Sequence, residues 1–273
     1  MFRMFLGCLL FIANLIFLVY LWNCLQTRVP VLCFHRVIEN RDPLHLWIAK
    51  DQFLEILDLI EKKGFITMLP GEMPDPHNPS VILSFDDGTK DHLDTVIPLL
   101  NSRGMKGLFF WITGPMEGWD ALRLEKLKTI SKAHQHGSHS KTHYPILTGL
   151  ETSRLNRLKM ELEDSRSFLK GLFGQEVLSF AFPRGEVDAG GAALAHQYYP
   201  YLFSVEYDYF YPGFEKKVHG RYLVLKEQSL QELEDYLDES QPLRSPVFPL
   251  TCCLIVLANL FFWLRKKPGN PRD

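Results

Sequence analysis

Two short segments of the sequence contain most of the residues that could do chemistry. In the first, the apolar run Val81–Phe85 leads directly into the pair Asp86 and Asp87. Adjacent carboxylates at the end of a buried strand are costly unless a cation or a shared proton relieves their repulsion. Taken alone, the pair is equally compatible with a helix cap at Asp87 and with a reactive or metal-binding site.

The second segment is rich in histidine. Four histidines follow one another closely: His134, His136, His139 and His143. Gly137 permits a tight turn and Pro145 disfavours helix just before it, so we expect His139 and His143 to lie on one irregular loop. Two imidazoles and one carboxylate are a common ligand set for Zn²⁺ or a similar divalent metal, and they leave positions open for water and substrate. Together the two segments favour a metal site over a solvated histidine loop.

These segments resemble a known family. Ser84–Gly88 (SFDDG) and Gly137–His143 (GSHSKTH) are similar to the first two signature motifs of the polysaccharide deacetylases, also called the NodB-homology family. The resemblance covers about residues 29–230. It implies a hydrolase that removes acetyl groups from N-acetylated glycans with the help of a divalent metal.

The resemblance also implies a role for each residue of the two motifs. By position, Asp86 corresponds to the general base of the family, and Asp87, His139 and His143 correspond to its metal ligands. The implied cofactor is Zn²⁺, with Co²⁺ or another divalent ion as alternatives, because two histidines and one aspartate accommodate several metals.

A third resemblance narrows the branch. Cys33–Val37 (CFHRV) is similar to an early histidine motif of the poly-N-acetylglucosamine deacetylases. In that branch the histidine supplies the general acid, so the resemblance implies this role for His35. The alternative is a histidine that only completes the end of a strand.

Two arginines compete for one further role. Phe180–Gly185 (FAFPRG) resembles the third family motif, which shapes one wall of the substrate groove and implies substrate contacts for Phe182 and Pro183. The family usually has an aromatic residue where this chain has Arg184. Elsewhere in the family an arginine holds the catalytic aspartate, and Arg184 and Arg221 are both candidates for that role.

Aromatic side chains are frequent in the second half of the chain. Sugar rings stack on such side chains, although part of the set is expected to fill the core. Because Tyr207–Tyr211 is a polar, loop-like stretch, we expect Tyr207 and Tyr209 to contact substrate.

Two uncharged apolar runs, residues 4–22 and 247–264, are each long enough to cross a hydrocarbon core about 30 Å thick. Arg265, Lys266 and Lys267 follow the second run, which by the positive-inside rule puts the C-terminus in the cytoplasm. We therefore expect an N-terminal anchor at 1–28, a catalytic domain at 29–244, and a transmembrane helix with a basic tail at 245–273. The expected location is the bacterial cytoplasmic (inner) membrane, crossed twice, with both termini cytoplasmic and the catalytic domain periplasmic or otherwise extracytoplasmic.

Between these runs the pattern alternates between strands and helices. Strands are predicted at 30–37, 65–69, 81–85, 107–112, 178–182, 201–205 and 221–225, and helices at 50–63, 91–103, 122–134, 150–173 and 228–237. Such alternation implies an α/β fold with a parallel sheet, either open or closed. We expect a distorted or incomplete (β/α) barrel with parallel strands, flanked by the two transmembrane helices.

The expected substrate is an N-acetylated amino-sugar polymer that is exported or displayed at the cell surface. A lipid-linked sugar precursor or peptidoglycan is the nearer alternative, and a catalytically silent glycan-binding scaffold in a polysaccharide synthesis complex is the alternative of another class. The bilayer and a polysaccharide synthase or export machinery are expected partners. With a net charge of −2 and a pI of about 6.6, nothing in the composition points to nucleic acid.

Overall fold

The computed structural model describes residues 27–39, 46–75, 77–114, 127–128, 133–148, 155–214 and 217–241. Contacts group Arg28–Ser240 into one compact unit. A second unit, Met1–Thr27 with Gln241–Asp273, lies almost entirely outside the described residues, as do both predicted membrane spans. In the part of the chain that is described, no helix combines the length and apolar character needed to cross a membrane.

Strands and helices alternate along the described unit. The strands are β1 (Val31–Phe34), β2 (Arg36–Ile38), β3 (Trp47–Ala49), β4 (Ile66–Thr67), β5 (Ser80–Phe85), β6 (Leu108–Trp111), β7 (Gln135–Ser138), β8 (Ser179–Ala181), β9 (Tyr201–Phe203), β10 (Val218–His219) and β11 (Tyr222–Leu223). The helices are α1 (Lys50–Lys62), α2 (Ile97–Ser102), α3 (Leu155–Phe173), α4 (Ala189–Ala195) and α5 (Leu230–Glu239).

Nine of the strands form one parallel sheet. Its order is β10–β9–β8–β7–β6–β5–β1–β11, and β4 pairs with the beginning of β5. The two outer strands, β10 and β11, are not paired with each other in this order, so the sheet curls without closing. This arrangement confirms the expectation of an incomplete barrel of parallel strands.

The helices cover the outer face of the sheet. On α1, Phe53, Ile56, Leu57 and Ile60 are buried at helical spacing, as the sequence predicts. At the start of α5, Ser229 and Glu232 form a reciprocal capping box that satisfies two backbone N–H groups.

The structure differs from the sequence prediction at several elements, and β3, β10 and α4 were not predicted. The strand predicted at 30–37 divides, because β1 pairs with β5 only as far as Phe34 and β2 joins β3 in a separate sheet. The helix predicted at 91–103 begins as a π-helical turn, His92–Val96, which leads into α2. Pro98 lies in the first turn of α2, where the missing N–H of proline is tolerated. The helix predicted at 122–134 lies mostly outside the described residues, and β7 directly after it was not predicted.

The alternation of side chains along β5 decides which residues face the interior of the barrel. Leu83 and Phe85 belong to the larger core beneath the helices, whereas Ile82 belongs to the smaller core inside the barrel. Because successive side chains of a strand point to opposite faces, Ser84 and Asp86 share the inner face with Ile82. The period of the strand therefore puts Asp86 inside the barrel, at the carboxyl end of β5.

Candidate active site

Asp86 is buried in the barrel and forms a bidentate ion pair. Arg221 Nη1 donates to Asp86 Oδ1 at 2.7 Å and Arg221 Nη2 donates to Asp86 Oδ2 at 2.8 Å. Both residues are 1% exposed. Arg221 Nε also donates to the carbonyl of Ser204 at 2.9 Å, which fixes the plane of the guanidinium. Of the two candidate arginines, the structure therefore brings Arg221 to the aspartate.

This pairing sets the ionisation of Asp86. Burial by itself would raise the pKa of the carboxyl group, but the charge and hydrogen bonds of Arg221, with a smaller effect of His139, hold the pKa well below its usual range. Asp86 raises the pKa of Arg221 in turn, although burial opposes that change. Asp86 is therefore a carboxylate at every pH at which the protein would work.

Asp87, His139 and His143 come together beside this pair. Asp87 Oδ1 lies 3.6 Å from His139 Nε2 and 3.8 Å from His143 Nε2. One ligand atom from each of the three residues lies within 4.8 Å of the others. Around a zinc ion with bonds of about 2.0–2.2 Å, tetrahedral ligand atoms are roughly 3.3 Å apart, so small side-chain shifts would let the three residues share one ion.

The chemistry of the donors also fits a divalent metal. His139 Nδ1 donates to the carbonyl of Ala181 at 2.8 Å, which leaves Nε2 as the unprotonated nitrogen facing Asp87. Burial lowers the pKa of His139, and a neutral imidazole is the form that binds metal. The residues present therefore fit the predicted metal site.

Left-handed backbone conformations direct these side chains. Asp87 has a φ of 71° and His143 a φ of 59°, values that are uncommon for residues other than glycine. Gly88 follows with a φ of 70°, and a Cβ there would lie 2.4 Å from Trp111 Cε3, so only glycine fits against the indole. Such strain at adjacent positions is common where a site must be preorganised.

His35 lies at the same edge of the sheet, immediately after β1. The N–H of Asp86 donates to the carbonyl of Phe34 at 2.9 Å, so His35 and Asp86 follow neighbouring strand ends. His92 Nε2 donates to the carbonyl of His35 at 2.5 Å. Among the residues that the structure describes, the buried Nδ1 of His35 has no hydrogen-bond partner.

Comparison with known proteins gives the same interpretation. The sequence profile of the polysaccharide deacetylase family matches residues 74–199, a range that contains Asp86, Asp87, His139 and His143. The chain carries a polysaccharide deacetylase domain. The family consists of hydrolases that act on amide bonds.

Individual relatives of the deacetylase domain agree. YxkH of Bacillus subtilis, which carries the name of a polysaccharide deacetylase, is 25% identical over 167 residues, or 58% of this chain and 57% of YxkH. The match thus spans little more than half of that relative. The Streptococcus pyogenes deacetylase PplD has a TM-score of 0.67 at 20% identity, covering 78% of this chain and 99% of PplD. IcaB of Ammonifex degensii has a TM-score of 0.62 at 23% identity, covering 79% of this chain and 97% of IcaB. These likenesses show the fold.

The third motif of the deacetylase domain differs from expectation. Arg184 is exposed, with a φ of 60°, and does not pair with Asp86, because the interior position is already taken by Arg221. Phe182 is fully buried and packs edge-on against Phe180 at 5.2 Å, and Pro183 is also buried. In this structure, neither Phe182 nor Pro183 presents a surface on which a sugar could stack.

The two tyrosines predicted to contact substrate lie elsewhere on the deacetylase domain. Phe210, next to Tyr209, pairs with Val29 at the amino end of β1, whereas Asp86 follows the carboxyl end of β5. Tyr209 is 7% exposed and stacks on Tyr236, with ring centroids 5.1 Å apart. Tyr207 is exposed but packs on the same Tyr236. Tyr207, Tyr209 and Tyr236 thus form an aromatic cluster at the opposite end of the barrel from Asp86, and contact of Tyr207 and Tyr209 with substrate stays a prediction.

Proposed function

We propose that this chain is a metal-dependent N-deacetylase that removes acetyl groups from N-acetylated amino sugars of an exported or cell-surface polysaccharide. The observation that carries the proposal is the convergence of Asp87, His139 and His143 beside a separate, ion-paired Asp86. An amide resists hydrolysis because its carbonyl is deactivated by resonance and its amine is a poor leaving group. The site offers a group for each of these difficulties.

Asp87, His139 and His143 would hold the divalent metal, which, when bound, polarises the carbonyl oxygen and lowers the pKa of a bound water. Asp86 lies outside this ligand set, with its Oδ2 3.9 Å from His139 Nε2. Its ionised carboxylate would accept the proton as water attacks the carbonyl carbon. Arg221 keeps that carboxylate charged and oriented.

His35 would supply the proton that the leaving nitrogen needs. Its Nδ1 is buried but has no hydrogen-bond partner in the described part of the chain, and a buried polar atom of this kind requires one. A rotation of the imidazole that exposes this nitrogen would let it donate to the leaving nitrogen of the substrate. The bond from His92 to the carbonyl of His35 anchors the backbone at this position.

Three observations support an N-acetylated amino-sugar polymer as the substrate. Residues 33–37 resemble the poly-N-acetylglucosamine deacetylases, which implies an amino-sugar polymer. PplD was solved with acetate, the product expected of N-deacetylation. The candidate site also lies at the carboxyl ends of the strands, where the side chains of Asp87 and His143 are partly exposed.

We also propose that the chain is anchored in the membrane through residues 4–22 and 247–264, from their length and lack of charge.

The proposal is tested by measuring acetate released from N-acetylglucosamine oligomers of defined linkage. The purified chain should release acetate, lose that activity on treatment with a chelator, and regain it when Zn²⁺ or Co²⁺ is added. A lipid-linked precursor and peptidoglycan fragments are assayed in parallel, and faster release from either would replace the proposed substrate. Absence of both bound metal and acetate release would instead indicate the glycan-binding scaffold.

Replacement of Tyr207 checks which end of the barrel the substrate uses. Tyr207→Ala is expected to change kcat/KM by no more than about twofold, because exposed substitutions away from the site have small effects. A tenfold loss of kcat/KM with normal thermal unfolding would put the substrate groove at the aromatic cluster and contradict the proposed position of the site.

A further inference from the structure

The segment that links the two histidines of the candidate metal site has an unusual backbone. Ser140 has a φ of 66° and His143 a φ of 59°, so two non-glycine residues of this short segment are left-handed. We call residues 139–143 the histidine loop. Such conformations persist only where surrounding contacts enforce them. The contacts that hold the histidine loop therefore control where His143 points.

One side chain outside the signature motifs makes three of these contacts. Glu161 on α3 is 4% exposed, and its Oε2 accepts the backbone N–H groups of Lys141 at 2.9 Å and Thr142 at 2.7 Å. Its Oε1 accepts the hydroxyl of Thr142 at 2.6 Å. Both carboxylate oxygens are thus directed at the histidine loop.

Glu161 makes no direct ion pair in the part of the chain that the structure describes. The ammonium group of Lys141 instead bonds Asp164 at 2.7 Å. A buried carboxylate is costly unless its hydrogen bonds compensate, and here all the compensating donors belong to the histidine loop. Glu161 and the loop therefore stabilise each other.

A second set of contacts joins the loop to the same helix. The N–H of Ser140 donates to Ser138 Oγ at 3.1 Å, and Ser138 Oγ donates to Ser165 Oγ at 2.8 Å. Ser165 lies one turn after Glu161, so α3 touches the histidine loop near its start and at its centre. Side chains of α3 therefore hold the histidine loop in its conformation.

We infer that Glu161 is a positioning residue for the metal site: it sets the loop conformation in which His139 and His143 reach one ion. The inference rests on the proposed function, since it assumes that the two histidines bind metal. Glu161 itself would contact neither the metal nor the substrate. A purely structural Glu161 would affect folding but not the affinity of folded protein for metal.

The experiment compares Glu161→Gln with wild type and with Asp164→Asn, a control on the same helix that loses only the partially exposed contact to Lys141. Glutamine keeps the size of the side chain but removes the charge that strengthens the bonds to the two backbone N–H groups, and the hydroxyl of Thr142 must reverse to accept the amide N–H. We expect the Kd for Zn²⁺, measured by competition with a chromogenic chelator, to rise by about 10- to 100-fold in Glu161→Gln and to stay unchanged in the control. In metal-free protein, hydrogen exchange at the amides of Lys141 and Thr142 should be faster in Glu161→Gln alone.

Zinc affinity and amide exchange both equal to wild type in Glu161→Gln would overturn the inference. If that variant does not fold, Glu161→Asp is measured by the same two methods. Aspartate keeps the charge, but its carboxylate lies one methylene farther from the loop. His139→Ala distinguishes a failure of the proposed function from a failure of the role of Glu161. Zinc binding that survives His139→Ala contradicts the proposed function, whereas zinc binding lost in His139→Ala but normal in Glu161→Gln contradicts only the role of Glu161.

Discussion

Asp86→Asn is expected to lower kcat for acetate release by about 10²- to 10⁴-fold while leaving the affinity for zinc close to that of wild type. Asparagine has nearly the shape of aspartate but cannot accept the proton of the attacking water. Asp87, His139 and His143, which would hold the metal, remain unchanged. The measurement is single-turnover acetate release together with the zinc content of the same sample.

The control for this prediction tests the effect on Arg221, which loses its ion-pair partner in Asp86→Asn. In Asp86→Asn the guanidinium stays buried without a counter-charge, so reduced activity could reflect poor folding. The double variant Asp86→Asn with Arg221→Met removes both charges and should fold better than the single variant, yet be equally inactive. Near-normal kcat in Asp86→Asn would show that Asp86 is not the base.

The second large effect concerns stability. Arg221→Met is expected to lower the free energy of unfolding by about 3–5 kcal/mol at pH 7, because it leaves the carboxylate of Asp86 buried and unpaired. Urea unfolding of the variant and the wild type measures the difference. Arg221→Lys, which retains a charge but not the bidentate geometry, should lie between them.

The effect of Arg221→Met should depend on pH in a defined direction. In the folded wild type the pKa of Asp86 lies below its ordinary value of 3.8, so the pair stabilises the protein above that pH and loses this contribution as the pH falls further. In the variant, protonation of Asp86 at low pH removes the buried charge. The difference in unfolding free energy should therefore be largest near neutral pH and shrink as the pH falls and Asp86 becomes protonated in the variant. A difference that is constant over this range would show that the ion pair is not its cause.

The residues near the candidate metal could be predicted because their signal is local. Asp86 and Asp87 end a strand whose apolar run is visible in the sequence, and the period of two along β5 fixes which of its side chains face inwards. His139 and His143 lie four residues apart in a segment that can form a tight loop. Short-range spacing was enough to bring these residues to one edge of the sheet.

The partner of Asp86 could not be chosen from the sequence, because it lies 135 residues away and no local pattern connects the two. Arg184 and Arg221 were both candidates, and only the pairing of β11 with β1 brings Arg221 to Asp86. Glu161 was missed for a related reason: one glutamate on an amphipathic helix has no feature that distinguishes it from solvated neighbours. What its carboxylate contacts is decided only by tertiary packing.

Several features of the structure are not visible in the local sequence. Tyr209 stands in an acidic, loop-like stretch that suggests exposure, but stacking on Tyr236 buries it at the end of the barrel away from Asp86. Phe182 follows a strand end near the site, yet its ring turns into the core. β7 escaped prediction because Gln135–Ser138 contains no large apolar residue. Gly137 is needed there, since a Cβ would lie 2.6 Å from the ring of Phe110.

One titration tests the central claim, that a single ion held by Asp87, His139 and His143 makes this domain a deacetylase. Zinc is added stepwise to metal-free protein, and bound zinc and the rate of acetate release from N-acetylglucosamine oligomers are recorded at each step. We expect the rate to rise in proportion to bound zinc and to level off at one ion per chain, with no comparable rise in His139→Ala. A full rate of acetate release from protein stripped of metal would contradict the account.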